Sequence, residues 1–113
     1  MNSLRGDVEV TLGGVAYTMR PTFEALLEIE RLTGIGLIPL ARRFYSQEFG
    51  VADIRNVIVP AIKAGGGKVP DNIGKLIIDA GPVNLGGVVA QFLVGALSGG
   101  EEKKADAPAE PPT

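Results

Sequence analysis

Gly13 and Gly14 stand between two runs in which apolar and polar residues strictly alternate, and that arrangement admits few folds. Upstream, Val8, Val10 and Leu12 alternate with Asp7, Glu9 and Thr11; downstream, Val15, Tyr17 and Met19 alternate with Ala16, Thr18 and Arg20. Period-two alternation marks a half-buried strand, and two glycines between such runs supply the positive φ of a two-residue hairpin turn. With residues 13 and 14 as the loop, Leu12 faces Val15, Val10 faces Tyr17 and Val8 faces Met19, all on one side. The other side pairs Thr11 with Ala16, Glu9 with Thr18 and Asp7 with Arg20, the last being opposite charges. A lone hairpin is marginal in water, so its apolar face must lie on helices.

The next stretch, RPTFEALLEIERLTGIG, supplies the first of them. Pro21 stops the ladder, Thr22 offers a capping hydroxyl, and Glu24 places an acid at the positive end of the helix dipole. Gly34 suits the left-handed residue past the helix end. Phe23, Ala25, Leu26, Leu27, Ile29 and Leu32 make a broad apolar arc, with Glu24, Glu28 and Arg31 on the polar side. Glu30 falls inside the arc. Either it is buried or half-buried and paired with Arg42, Arg43 or backbone donors, or it is solvated at a gap; the general exposure of Glu favours the second.

Further helices follow. Pro39 suits the first turn of a helix running to about Ser46, in which Arg42 and Arg43 sit beside the aromatics Phe44, Tyr45 and Phe49. Residues 51 to 64 carry apolar side chains at 51, 54, 57, 58, 61 and 62, one helical face. Pro60 lies on the opposite side and predicts a kink or an early end. The glycine run Ala64 to Lys68 reads as a flexible connector: without a preceding strand, or Ser or Thr after Lys68, it is no phosphate loop. A fourth helix is expected from about Pro70 to Ala80 and a fifth from about Val83 to Ser98. The fifth puts Leu85, Val88, Val89, Phe92, Leu93 and Ala96 on one face, with Ala90, Val94 and Leu97 on a flank. Being apolar nearly all round, it is a central core helix or one that shows a second face to a partner. It is too short and too interrupted to span a membrane.

The fold class expected is therefore α+β: an N-terminal two-stranded antiparallel hairpin packed on four to five short helices, one domain over residues 1–98. Residues 99–113, GGEEKKADAPAEPPT, lack apolar periodicity and are expected to be a disordered acidic tail.

Charge and composition narrow the function. Residues 1–100 hold nine Lys/Arg and nine Asp/Glu, so the body is formally neutral and offers no general footprint for nucleic acid. The chain has no Cys and no His, which removes disulfides, the thiolate nucleophile and the commonest general base and metal ligand. The serines lack an activating partner, and Asp53, Asp71 and Asp79 fall in different elements. No catalytic, cofactor-binding or metal-binding residue is expected, and an enzyme is not indicated. The opening MNSLRGD has no apolar targeting stretch, so a cytoplasmic protein is expected.

The residues alone stop at a small α+β domain without visible chemistry. The run RGDVEVTLGGVAYTMRPTFEALLEIERLTGIGL, followed by LARRF, goes further. It resembles the small tail assembly proteins of siphophages and gene transfer agents, in particular the tail assembly chaperones of the gene-transfer-agent type. Arg5-Gly6, Leu12-Gly13-Gly14, Tyr17, Arg20-Pro21-Thr22-Phe23 and Glu28-Ile29-Glu30 carry the likeness, which spans roughly residues 4–98. The resemblance implies a non-enzymatic assembly role. The partners it implies are the tape measure protein, kept soluble by the chaperone, and the tail tube protein, with self-association as a further expectation. Neither nucleic acid nor membrane is an implied partner, and the chaperone is absent from the finished particle. The alternative is a permanent component, such as a head–tail connector or minor tail protein; a small regulatory nucleic-acid binder is disfavoured by charge. The flank of the last helix, Ala90, Val94 and Leu97, is the expected partner-binding surface, because surplus apolar area on a monomer marks an interaction site.

Overall fold

A computed structural model describes residues 6–99; the acidic tail expected over 99–113 lies, except for Gly99, outside them. Strands β1 (Val8–Leu12) and β2 (Val15–Met19) are followed by helices α1 (Phe23–Thr33), α2 (Leu37–Tyr45), α3 (Val51–Ala64), α4 (Ile73–Ala80) and α5 (Pro82–Leu97). The class is α+β, as the alternation and the helical periodicities imply. No single helix among the described residues is long and apolar enough to cross a membrane; α4 and α5 meet that test only as a pair bent by 102°.

The hairpin has the register read from the sequence, with Val8 opposite Met19, Val10 opposite Tyr17 and Leu12 opposite Val15. Gly13 and Gly14 have φ of 59° and 79°, the mirror-image turn that matches the strand twist. Val10, Leu12 and Met19 are buried and Tyr17 is half-buried, but Val15, at the tip, is half exposed. Asp7 and Arg20 pair as expected, the carboxylate accepting from Nε at 3.1 Å and from Nη2 at 3.0 Å.

Thr22 caps α1, its hydroxyl accepting from the Ala25 N–H at 3.1 Å, and Gly34 ends the helix with φ 77°. Glu30 departs from the solvated reading. It is half-buried, and its Oε2 accepts from the Leu37 N–H at 3.0 Å. Leu37 opens α2, whose own N-cap is a glycine without a side-chain acceptor, so an anion from α1 satisfies an orphan donor at the next helix.

Pro60 does not end α3, which runs unbroken from Val51 to Ala64, and it does not face solvent. It is buried and shares a shallow hollow with Thr22, Ala25 and Glu28. Ile54, Val57, Ile58, Ala61 and Ile62 are all fully buried on the same helix, and that packing offsets the roughly 3 kcal/mol a mid-helix proline costs. The glycine run after α3 is likewise no loose connector. Gly66, at φ 90°, is the left-handed residue of a helix cap in which Gly66 N–H donates to the Lys63 carbonyl and Gly67 N–H to the Ile62 carbonyl. Gly65 lies against β2, where a Cβ would come 2.1 Å from the Thr18 carbonyl oxygen. The fourth helix begins at Ile73 instead of Pro70; residues 70–72 form a turn, with the Ile73 N–H donating to the Pro70 carbonyl.

The core is one cluster. Ile29, Leu40, Phe44, Ile54, Ile58, Ile77, Phe92 and Leu93 meet beneath Val10, Leu12 and Met19. α5 stands in the middle, packed on α2, α3, α4 and β1.

Candidate functional site: a groove between α2 and α5

The chain after α2 turns sharply. Gln47 N–H donates to the Phe44 carbonyl and Glu48 N–H to the Arg43 carbonyl, the two bonds of a left-handed helix cap. Gln47 takes the position usually given to glycine, with φ 59°. This turn brings Phe49 back onto Phe44, the rings stacked with centroids 4.6 Å apart and planes at 17°. Phe49 then sets the tip of its ring against α5 at Gly86, where a Cβ would approach its Cζ to 2.3 Å. Any larger residue at 86 would push the ring away. Asp53 fixes the loop from below, accepting from Gly50 N–H at 2.9 Å and from Arg43 Nη1 at 3.0 Å.

The result is a groove of about 480 Å³ between the end of α2 and one side of α5. Its floor is made of small residues, Gly86, Gly87, Ala90 and Gly95, and Gly87 has nothing within 4 Å of where a Cβ would stand. Tyr45 and Val83 rise at its rims, 65% and 73% exposed. Gln47 and Gln91 offer amides. Among the described residues Asp7 is the one charged residue lining it, and its carboxylate is held by Arg20. That hydrogen bond raises the pKa of the Arg20 guanidinium further above its ordinary value. The groove is therefore more apolar than polar and electrically quiet, suited to the apolar face of a helix rather than to an ion.

Two of the three residues expected to bind a partner lie here. Ala90 and Val94 line the groove, Ala90 nearly buried in the floor and Val94 half-buried in the wall. Leu97, 42% exposed, lies a turn further along α5 and does not line it. Tyr45, Phe49 and Val83 also line the groove, and no helical periodicity marks them as site residues. The aromatic spacing around Arg42-Arg43 was the available signal, and nothing in it showed that the loop would fold onto α5. Those two arginines do not form a joint basic spot, since Arg43 is engaged by Asp53 while Arg42 is exposed. No three acidic side chains gather as a metal site would need, among the described residues.

Comparison with known families finds a match. The model described as "Phage tail tube protein, GTA-gp10" matches residues 5–104, nearly the whole chain. No curated protein and no solved structure matches.

Proposed function

The chain belongs to the phage tail tube protein family of the GTA-gp10 type, and on that premise we propose that it acts as a tail assembly chaperone. In this reading it binds the apolar helices of a tape measure protein in the bacterial cytoplasm, keeps them soluble, and hands them to tail tube subunits without catalysing a reaction. The groove between α2 and α5 carries the proposal. It is concave, neutral and floored with small residues, so an amphipathic helix can lay its apolar side between Tyr45 and Val83 and approach the α5 backbone closely. The exposed rim residues give such a helix apolar contact that the free monomer leaves in water.

A second reading has its own support in the family's description, which names a tube protein. On it the chain is a permanent component of the tail and the same groove seats a neighbouring tail protein. Two measurements separate the readings. Val83→Glu and Val94→Glu should each leave the melting transition in place but abolish recovery of soluble tape measure protein on co-expression; undiminished recovery would refute the groove as the docking surface. Mass spectrometry of purified particles should find the tape measure but not this chain. Stoichiometric recovery of the chain would establish the structural reading instead.

A further inference from the structure

The two edges of the hairpin are treated differently. The mirror-image turn makes Leu12–Val15 a hydrogen-bonded pair, so bonded pairs recur at Val10–Tyr17 and Val8–Met19. The amides and carbonyls of Ala16, Thr18 and Arg20 therefore point away from β1, and α3 covers that side: the Arg20 N–H donates to the Ala61 carbonyl at 3.0 Å, and Gly65 is pressed on the Thr18 carbonyl. On the other side the N–H and C=O groups of Glu9 and Thr11 point away from β2. None of these four groups has a hydrogen-bond partner among the described residues. Neither Pro nor a bulge blunts this edge, as open edges commonly are.

We propose that the free edge of β1 is a pairing site for β1 of a second copy of this chain, giving a four-stranded sheet across a two-fold axis at Val10. An antiparallel register centred on Val10 sets Glu9 opposite the second copy's Thr11, and Thr11 opposite its Glu9. Each pair exchanges two backbone hydrogen bonds, so all four unpartnered groups are satisfied. Val8, Val10 and Leu12 keep to the helix-facing side in both copies, and no like charges stand directly opposed. A register shifted to set Glu9 against Glu9 would oppose like charges directly.

The test is the oligomeric state of the full chain by sedimentation equilibrium across concentration, with three substitutions at the exposed Thr11. Thr11→Pro removes an outward N–H but no bond between β1 and β2, so it should keep its melting transition and abolish the dimer. Thr11→Glu sets two like-charge pairs across the axis, and Thr11→Lys sets two opposite-charge pairs. The dimer dissociation constant should rise roughly 2- to 30-fold in the first and fall by a similar factor in the second. The wild-type amides of Glu9 and Thr11 should also gain exchange protection as concentration rises. A wild-type chain that stays monomeric at millimolar concentration overturns the proposal. So does a dimer that is indifferent to all three substitutions; if Val83→Glu abolishes that dimer, the groove is its interface.

Discussion

Gly65→Ala isolates one contact on which the seam between α3 and β2 depends. Gly65 has φ −80° and ψ 3°, a conformation open to any residue, so alanine brings no backbone strain. By the unfolded-state effect alone the change would stabilise the chain by about 0.4–1 kcal/mol. Against that, the new Cβ would lie 2.1 Å from the Thr18 carbonyl oxygen and 2.9 Å from its carbon, both backbone atoms that cannot rotate aside. Restoring ordinary contact means parting α3 from β2 by roughly 1 Å. The same parting stretches the Arg20 N–H to Ala61 carbonyl bond, a net contribution of about 1 kcal/mol. Overpacking of this kind costs about 1–3 kcal/mol, so the clash wins and a net loss of about 1–3 kcal/mol is expected. In a domain this small that lowers the melting temperature by roughly 4–8 °C per kcal/mol. Gly74→Ala is the control: it lies inside α4 with nothing within 4 Å of its Cβ position, and should gain about 0.5–1 kcal/mol. Urea unfolding followed by circular dichroism measures both. A Gly65→Ala chain as stable as the wild type would refute the claim that the glycine is there for close approach.

Three further outcomes follow from local geometry. Glu30→Ala leaves the Leu37 N–H at the start of α2 without its acceptor and should cost about 0.5–2 kcal/mol by urea unfolding, as loss of an N-cap does, with Glu30→Gln recovering part of it. Gln47→Gly removes a left-handed non-glycine residue from the α2 cap and should stabilise by up to about 1 kcal/mol, read as a rise in the urea midpoint. The Glu28 carboxyl is held below its ordinary pKa by its hydrogen bond to Arg31, with further help from the charges of Arg31 and Lys63. Its contribution to stability is thus present above the unfolded-state pKa and is lost as pH falls through the lower folded value. A carbon NMR titration should place its midpoint below that of a free glutamate, and Arg31→Ala should move it back up.

What the sequence reveals here depends on how local the deciding physics is. The hairpin register, the Thr22 cap, the Gly34 terminus and the buried face of α3 follow from two short periodicities and from residues that act on their immediate neighbours. Glu30, Pro60 and Gly65 resist such reading because each is settled by a different element: α2 lends Glu30 its donor, α1 covers Pro60, and β2 demands a glycine at 65. The site shows the same division. Helical spacing set Ala90 and Val94 on one flank of α5, and both line the groove. Leu97 continues the same line but runs past the end of the wall. The opposite wall comes from a loop whose path depends on Phe49 meeting Gly86, two residues with no periodic relation to each other.

The central place of α5 also has a consequence in time. It packs on β1, the first of the described elements, as well as on α2, α3 and α4. During synthesis the hairpin and the first helices leave the ribosome with their apolar sides unmatched, and the core cannot close until α5 follows. The nascent protein thus for a while carries the kind of open apolar surface that draws aggregation or the cell's chaperones. Of the described elements, α5 is the one on which closure of the core waits.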